Sequence, residues 1–351
     1  MSSLTHLRYI LEDSRSKYCY SGYQLFCENP LGKIHFFGGT TSYWPDAQPV
    51  TASTLFDIGS LTKAVCTTSI LARWFDKKSI QLADTLGKFL PGFQGTGFEN
   101  LTIGSLLSHS AGLLWWTPYY QKPEKDLLSW FKSHEKEFLV EKQGVAATYS
   151  DLGFLLLGLL IESRGPLDEI FETEVRRPLD LNARFRPSVK TVAATEYCLW
   201  RSRLLVGEVF DENCSALGGI AAHAGLFATV EGLAPLAREW MKAREGKSRW
   251  LSQATAILFT TRAGLIEGSD WGYGWDTRSM KGSSAGEYFS QESFGHLGYP
   301  GCSLWVDPKM EGYVVWFTNR IHPSRFDERI RTLRPILHNE IALLWRAHYG
   351  G

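Results

Sequence analysis

A chain of 351 residues with 37 basic and 37 acidic side chains has no net charge with which to hold a nucleic acid or an anionic membrane. Its 44% hydrophobic and 21% charged residues suit a globular enzyme of one or two lobes, and exclude the disordered and fibrous classes. The N-terminal MSSLTHLRYILEDSRSKYC has no basic region, no unbroken apolar run and no small-residue cleavage site. The most apolar stretch, Leu152 to Ile161, is too short for the ~20 residues of a membrane span. The expectation is a soluble, cytoplasmic protein acting on a small molecule or short peptide; a chain whose leader had been removed would read the same, and the sequence leaves the oligomeric state open. The six cysteines form no C-x-x-C pair and no disulfide framework, and the nine histidines no H-E-x-x-H, so a metal site is not expected.

Apolar residues at Leu4, Leu7, Ile10 and Leu11 predict a helix. Strands at Tyr23–Cys27 and Ile34–Phe37 follow, separated by the turn residues Asn29, Pro30 and Gly32. A short extended piece, Thr54–Ile58, leads into a helix from Gly59-Ser60 to about Phe75. The region from about 66 to 265 reads as mostly helical. Within it Leu127–Phe138 is a charge-rich, solvated face, Asp151–Glu162 a core helix and Val230–Ala243 an amphipathic one. Strand patterns return at Ser293–Leu297, Ser303–Val306 and Tyr313–Thr318, and a helix from about Phe326 to His348 closes the chain. Strands at both ends predict an α+β fold of the α/β-sandwich type. Its antiparallel sheet comes from the two terminal segments (about 1–65 and 266–351), a helical lobe (about 66–265) is inserted, and the active site lies between the lobes of one catalytic domain.

S-x-x-K occurs at Ser14…Lys17, Ser60…Lys63, Ser129…Lys132 and Ser133…Lys136, so context must choose. The first and the last two lie on surface helices, where a wet lysine keeps a pKa near ~10.4 and is no base at neutral pH. Ser60 follows an apolar strand and a glycine and opens a helix. Lys63 shares its face, among Ile58, Leu61, Ala64 and Val65, where burial favours a neutral amine able to take the Ser60 proton. The helix start also offers free N–H groups where an oxyanion would form. An N-cap role for Ser60 is the plain alternative.

FDIGSLTK resembles the S-x-x-K block of the penicillin-binding-protein and class C β-lactamase superfamily of serine hydrolases. IQLADTLGKFLP, LTIGSLLSHSAGL, ATYSDLGFLLLG, ALGGIAAHAGLFAT, FGHLGYPGCSLWVDP and TNRIHP match later segments in order, over about residues 54 to 323. The resemblance implies Ser60 as the acylated nucleophile, Lys63 as the amine that deprotonates it, and Tyr149 as a base or proton shuttle. His296 and Gly298 would line the third block, His296 donating to the substrate and Gly298 letting its backbone lie against the strand. The N–H of Tyr299 would be the second oxyanion donor, and Pro300 suits a strand edge with a ligand beside it. His223-Ala224-Gly225 is a rival H-x-G, but a helix signal follows it, whereas His296 stands in a strand pattern.

Two positions depart from the family pattern. Asp151 stands where Asn is usual; an ionised Asp only accepts, and pairing with Lys63 would hold that lysine charged. His296 stands where Lys is common, as in D,D-peptidases and esterases, and its charge would give activity a pH dependence near ~6.5. Trp115, Trp116, Tyr119 and Tyr120 form either an aromatic wall over the site or packing between lobes. The implied chemistry is acyl transfer through Ser60 without a cofactor, with a D-alanyl peptide of cell-wall turnover as first substrate. A carboxylic ester and a β-lactam are the alternatives, and a non-catalytic binding homologue is the reading from another class.

Overall fold

The computed structural model describes residues 3–121, 126–188 and 191–346. The strands are β1 (Gly22–Asn29), β2 (Gly32–Gly39), β3 (Phe56–Asp57), β4 (Ala183–Phe185), β5 (Tyr197–Cys198), β6 (Arg203–Leu204), β7 (Leu226–Ala228), β8 (Asp276–Thr277), β9 (Phe294–Gly298), β10 (Cys302–Asp307) and β11 (Gly312–Thr318). Six of them form one antiparallel sheet in the order β2-β1-β11-β10-β9-β8, so the two ends of the chain meet where β1 pairs with β11. The expected fold class is the observed one.

β10 and β11 are buried along their whole length because helices cover both sheet faces. The terminal helices Ser3–Ser16 and Ile330–Arg346 pack on one side, where Leu7, Leu11, Leu337 and Ile341 close over Leu25, Val314 and Trp316. The helical part packs on the other side in a core that includes Phe56, Leu107, Leu156 and Trp240. No helix among the described residues is long and apolar enough to cross a membrane.

Three expectations need correction. Leu127–Phe138 is not a solvated face throughout: helices Leu127–Ser133 and Glu135–Phe138 bury Trp130, Phe131 and Phe138, while Ser129, Lys132, Ser133, Lys136 and Glu137 face water. The last helix begins at Ile330 rather than near Phe326, and the expected final residues, 347 and 348, lie outside the described residues. The helix after Ser60 runs over residues 61–76, but Lys63–Thr68 is a π-helical segment, a widening of the turn that recurs at functional sites.

Candidate active site

Ser60 is held by what precedes it. β3 pairs with β7 and ends at Asp57, whose Oδ1 accepts the Gly59 N–H at 2.9 Å. Gly59 has φ +51°, and a Cβ there would stand 2.5 Å from the Pro300 ring, so only glycine makes this turn beside β9. Gly298 is required by the same approach: its Cβ would lie 2.1 Å from the Ile58 carbonyl oxygen. Packing against the Ile58–Ser60 segment therefore calls for glycine at 298 independently of any substrate, and Gly298 also lines the cleft. β8 pairs only with Gly295 and Phe294, leaving the His296–Gly298 end of β9 a free edge beside Ser60.

Lys63 is fully buried. Its Nζ donates to Ser60 Oγ at 3.0 Å and to the His223 carbonyl at 3.2 Å, and pairs with Asp151 Oδ1 at 2.6 Å. Burial pulls the Lys63 pKa down, but the Asp151 carboxylate and the Tyr149 oxygen outweigh it and hold the amine above the ordinary lysine range. The resting group is an ammonium, and the expectation of a neutral amine from burial alone is corrected by this pair. Asp151 is the first residue of the Asp151–Glu162 helix, which Ser150 caps through the Gly153 N–H, so the helix dipole favours the carboxylate there.

The Tyr149 phenol shares side-chain hydrogen bonds with Lys63 and Ser60, and its pKa is raised, first by burial, so it rests protonated. His109 holds the Tyr149 loop from both sides: its Nδ1 accepts the Ser150 N–H at 3.0 Å and its carbonyl the Thr148 N–H at 2.9 Å. Its ring packs 4.6 Å from Tyr149 and 4.5 Å from Trp271. Burial and the Lys63 charge keep His109 neutral, well below the usual histidine range.

These groups open into a cleft of about 310 Å³ lined by Ser60, Tyr149, Trp271, His296, Tyr299 and Arg334 among others. His296 is buried, its Nδ1 lies 2.8 Å from the Leu297 carbonyl, and its Nε2 has no protein partner. Burial and the Lys63 ammonium lower its pKa to about 3. The expected pH dependence near ~6.5 is therefore corrected: His296 is a neutral ring at working pH. The amides of Ser60 and Tyr299 donate to no other backbone group among the described residues, which leaves both N–H groups for a ligand oxygen.

The structure brings Ser60, Lys63, Tyr149, Asp151, His296, Gly298 and Tyr299 together. It does not bring the Trp115 and Trp116 side chains into the cleft; Trp115 is 58% exposed, and its contribution is a carbonyl that accepts the Asp151 N–H. Tyr119 packs on Trp130 and Tyr120 on Trp200. The lysines of the other three S-x-x-K matches are exposed. His223, the rival of His296, does not line the cleft but supports Lys63 from behind. Sequence reasoning missed Trp271 and the arginines Arg320, Arg331 and Arg334, which line the cleft from distant segments. Asp151, Asp211 and His223 bring metal-ligand atoms within 4.8 Å of one another, but these already serve Lys63 and each other.

The β-lactamase family model matches residues 32–337. The chain belongs to that family. It is 29% identical to a putative D-alanyl-D-alanine carboxypeptidase of Escherichia coli (strain K12), over 78% of this chain and 71% of that one. It is 28% identical to an N-acetylmuramyl-L-alanine amidase of Bacillus subtilis (strain 168), over 78% and 70% of the two chains. In fold it is similar to EstCE1, a hydrolase with promiscuous acyltransferase activity, with TM-score 0.77 at 19% identity over 97% of this chain and 98% of that one. The protein is a serine hydrolase.

Proposed function

We propose that the protein hydrolyses a peptide ending in a free carboxylate, in the manner of a D-alanyl-D-alanine carboxypeptidase, through an acyl-enzyme on Ser60. The observation that carries this reading is Arg334. It is buried beside the cleft, and its only protein acceptors among the described residues are the Gly298 and Cys302 carbonyls, at 3.1 and 3.2 Å. Burial lowers its pKa to about 10, so it stays a cation without a carboxylate of its own. A buried charge calls for a counter-ion, and a substrate carboxylate supplies one. Arg320 and Arg331 line the same wall.

In the proposed cycle Lys63 passes its extra proton to Asp151 as substrate displaces water, and the neutral amine takes the Ser60 proton. Ser60 Oγ then attacks the carbonyl carbon, and its oxygen gathers the negative charge between the Ser60 and Tyr299 amides. Collapse breaks the C–N bond, and the proton on Lys63 reaches the leaving nitrogen through Tyr149. Water repeats the sequence on the acyl ester, releasing the acid and restoring Ser60.

One observation favours an ester as second reading. With Lys63 held charged by Asp151, substrates with good leaving groups need the least help from the base. The test is intact-protein mass spectrometry of wild type and Ser60→Ala after a fluorophosphonate and, separately, a penicillin. D-alanine release from an acyl-D-alanyl-D-alanine peptide is measured beside hydrolysis of a short-chain ester. Ser60-dependent adducts with D-alanine release support the peptidase; phosphonate labelling and ester turnover alone support the esterase; no adduct on folded wild type refutes both.

A further inference from the structure

Behind the site, away from the cleft, lies a second buried pair. His223 Nε2 is 3.0 Å from Asp211 Oδ1, the same oxygen that accepts the Cys214 N–H at 2.7 Å. Both residues are buried, and His223 Nδ1 has no partner. The His223 carbonyl is one of the acceptors that fix the Lys63 ammonium. The segment around it is tied to the Lys63 helix: Thr67 Oγ1 donates to the Ala222 carbonyl at 2.6 Å and Thr62 Oγ1 accepts the Leu226 N–H at 3.2 Å. Next to Asp211, the Phe210 N–H donates to Asp57 Oδ2 at 2.8 Å, and the other oxygen of Asp57 holds Gly59, which precedes Ser60. The Phe210–Asp211 step is thus bonded to the supports of both Ser60 and Lys63.

We infer that Asp211 and His223 are positioning residues for the acylation step: Asp211 fixes the His223 ring, and the His223 carbonyl thereby holds the Lys63 amine on Ser60 Oγ. Asp211 also adds a second negative charge facing Lys63, after Asp151. The other groups that face the amine are Tyr149 and Ser60, which bond it, and the rings of His109 and His296, which are neutral. The inference rests on Ser60 being the nucleophile and Lys63 its base.

The test compares wild type, Asp211→Asn and His223→Gln in the pH dependence of Ser60 phosphonylation by a fluorophosphonate, followed as added mass, with melting temperature measured alongside. Asp211→Asn keeps an oxygen for the Cys214 amide and removes the charge. We expect roughly 10–100-fold slower labelling at the plateau, the scale of a misplaced reacting group, with little change in the half-saturating probe concentration. The acid limb of the Asp211→Asn profile should also move to lower pH, because Lys63 has lost a negative neighbour. In His223→Gln the plateau should fall with the limb in place. A purely structural role would move melting temperature and leave the limb alone. Plateau rates within twofold of wild type in both variants, or an unmoved limb in Asp211→Asn, would overturn the inference. Should His223→Gln not fold, Asp211→Asn decides alone. Absence of labelling in wild type refutes instead the reading of Ser60 and Lys63.

Discussion

Replacing Asp151 by Asn tests the centre of the site, because it removes the charge that keeps Lys63 protonated and leaves a side chain of the same shape. At an effective dielectric constant of ~20, unit charges 2.6 Å apart attract by about 6 kcal/mol. Desolvation of two buried ions takes back much of this, and removing one partner from a buried pair typically costs ~3–5 kcal/mol when the other stays charged. Lys63 has a less costly response, which is to lose its proton. Every ~1.4 kcal/mol of lost net attraction multiplies its neutral fraction at fixed pH by ~10, so the low end of that range gives about 100-fold more neutral amine. The introduced amide can also donate to a substrate carbonyl, which Asp151 in its ionised form cannot. Asp151→Asn should therefore keep acylation, move the acid limb of the acylation profile to lower pH, and raise the amide rate relative to the ester rate by at least ~10-fold. The assay is single-turnover acylation with a matched amide and ester from pH 5 to 10. An unchanged amide-to-ester ratio with an unmoved limb would refute the reasoning.

Acid should destabilise the protein through its buried histidines. His296 is lowered to about 3, His322 and His338 to about 4, and His109 well below the usual range, each first by burial. At these four groups the unfolded chain binds more protons than the folded one as pH falls below ~6.5, worth up to ~1.4 kcal/mol per group per pH unit down to about pH 4. Asp57 and Asp276, raised to about 7 first by burial, act in the opposite sense over the same window, and the four histidines outnumber them, so the net effect is a loss of stability. Urea midpoints at pH 7.5, 6 and 5 check this, and a flat series contradicts it. Gly298→Ala should lose ~1–3 kcal/mol or more, because the new Cβ meets the Ile58 carbonyl oxygen at 2.1 Å and neither backbone can yield. Wild-type stability with wild-type acylation in that variant contradicts the packing argument. Arg334→Lys keeps a charge but loses the planar fork, so KM for a carboxylate-terminated peptide should rise by ~10-fold while that for a neutral ester stays put. Equal effects on both substrates count against a carboxylate subsite.

The sheet was legible because its strands are short runs rich in apolar and aromatic residues bounded by turn residues: Tyr23–Cys27 and Ile34–Phe37 were readable, and the observed β1 and β2 extend each by a few residues. The order of short blocks made Ser60, Lys63, Tyr149 and His296 legible, since each lies in a stretch with its own local pattern. What stayed hidden depends on segments far apart in the chain. The neutrality of His296 is decided by burial, so reading it locally gave the wrong protonation state, whereas the charge on Lys63 follows from the Asp151 pairing that the departure at that position pointed to. Trp271 and Arg334 carry no local signature, because a loop tryptophan and an arginine on an amphipathic helix are commonplace until β9 is placed beside them. Of the two readings open for Trp115 and Trp116, the wall over the site is not met: Trp115 contributes a main-chain carbonyl rather than its ring.

The two departures from the family pattern make one electrostatic arrangement. A lysine in the third block and an asparagine in the second would leave those two positions and Lys63 with two cations and no anion. Here His296 is neutral and Asp151 neutralises Lys63, so the catalytic groups carry no net charge and offer an anionic substrate nothing at close range. The positive charge has moved to the far wall of the cleft, where Arg320, Arg331 and Arg334 stand. Arg331 faces Glu328 at 2.9 Å, whereas Arg320 and Arg334 are held by main-chain carbonyls alone, and of these two Arg334 keeps a buried Nε without a partner among the described residues. On the proposed reading, recognition of an anion and activation of Ser60 fall to different residues. That separation is why changes at Arg334 should fall on KM for carboxylate-bearing substrates, and changes at Asp151 on the acylation rate.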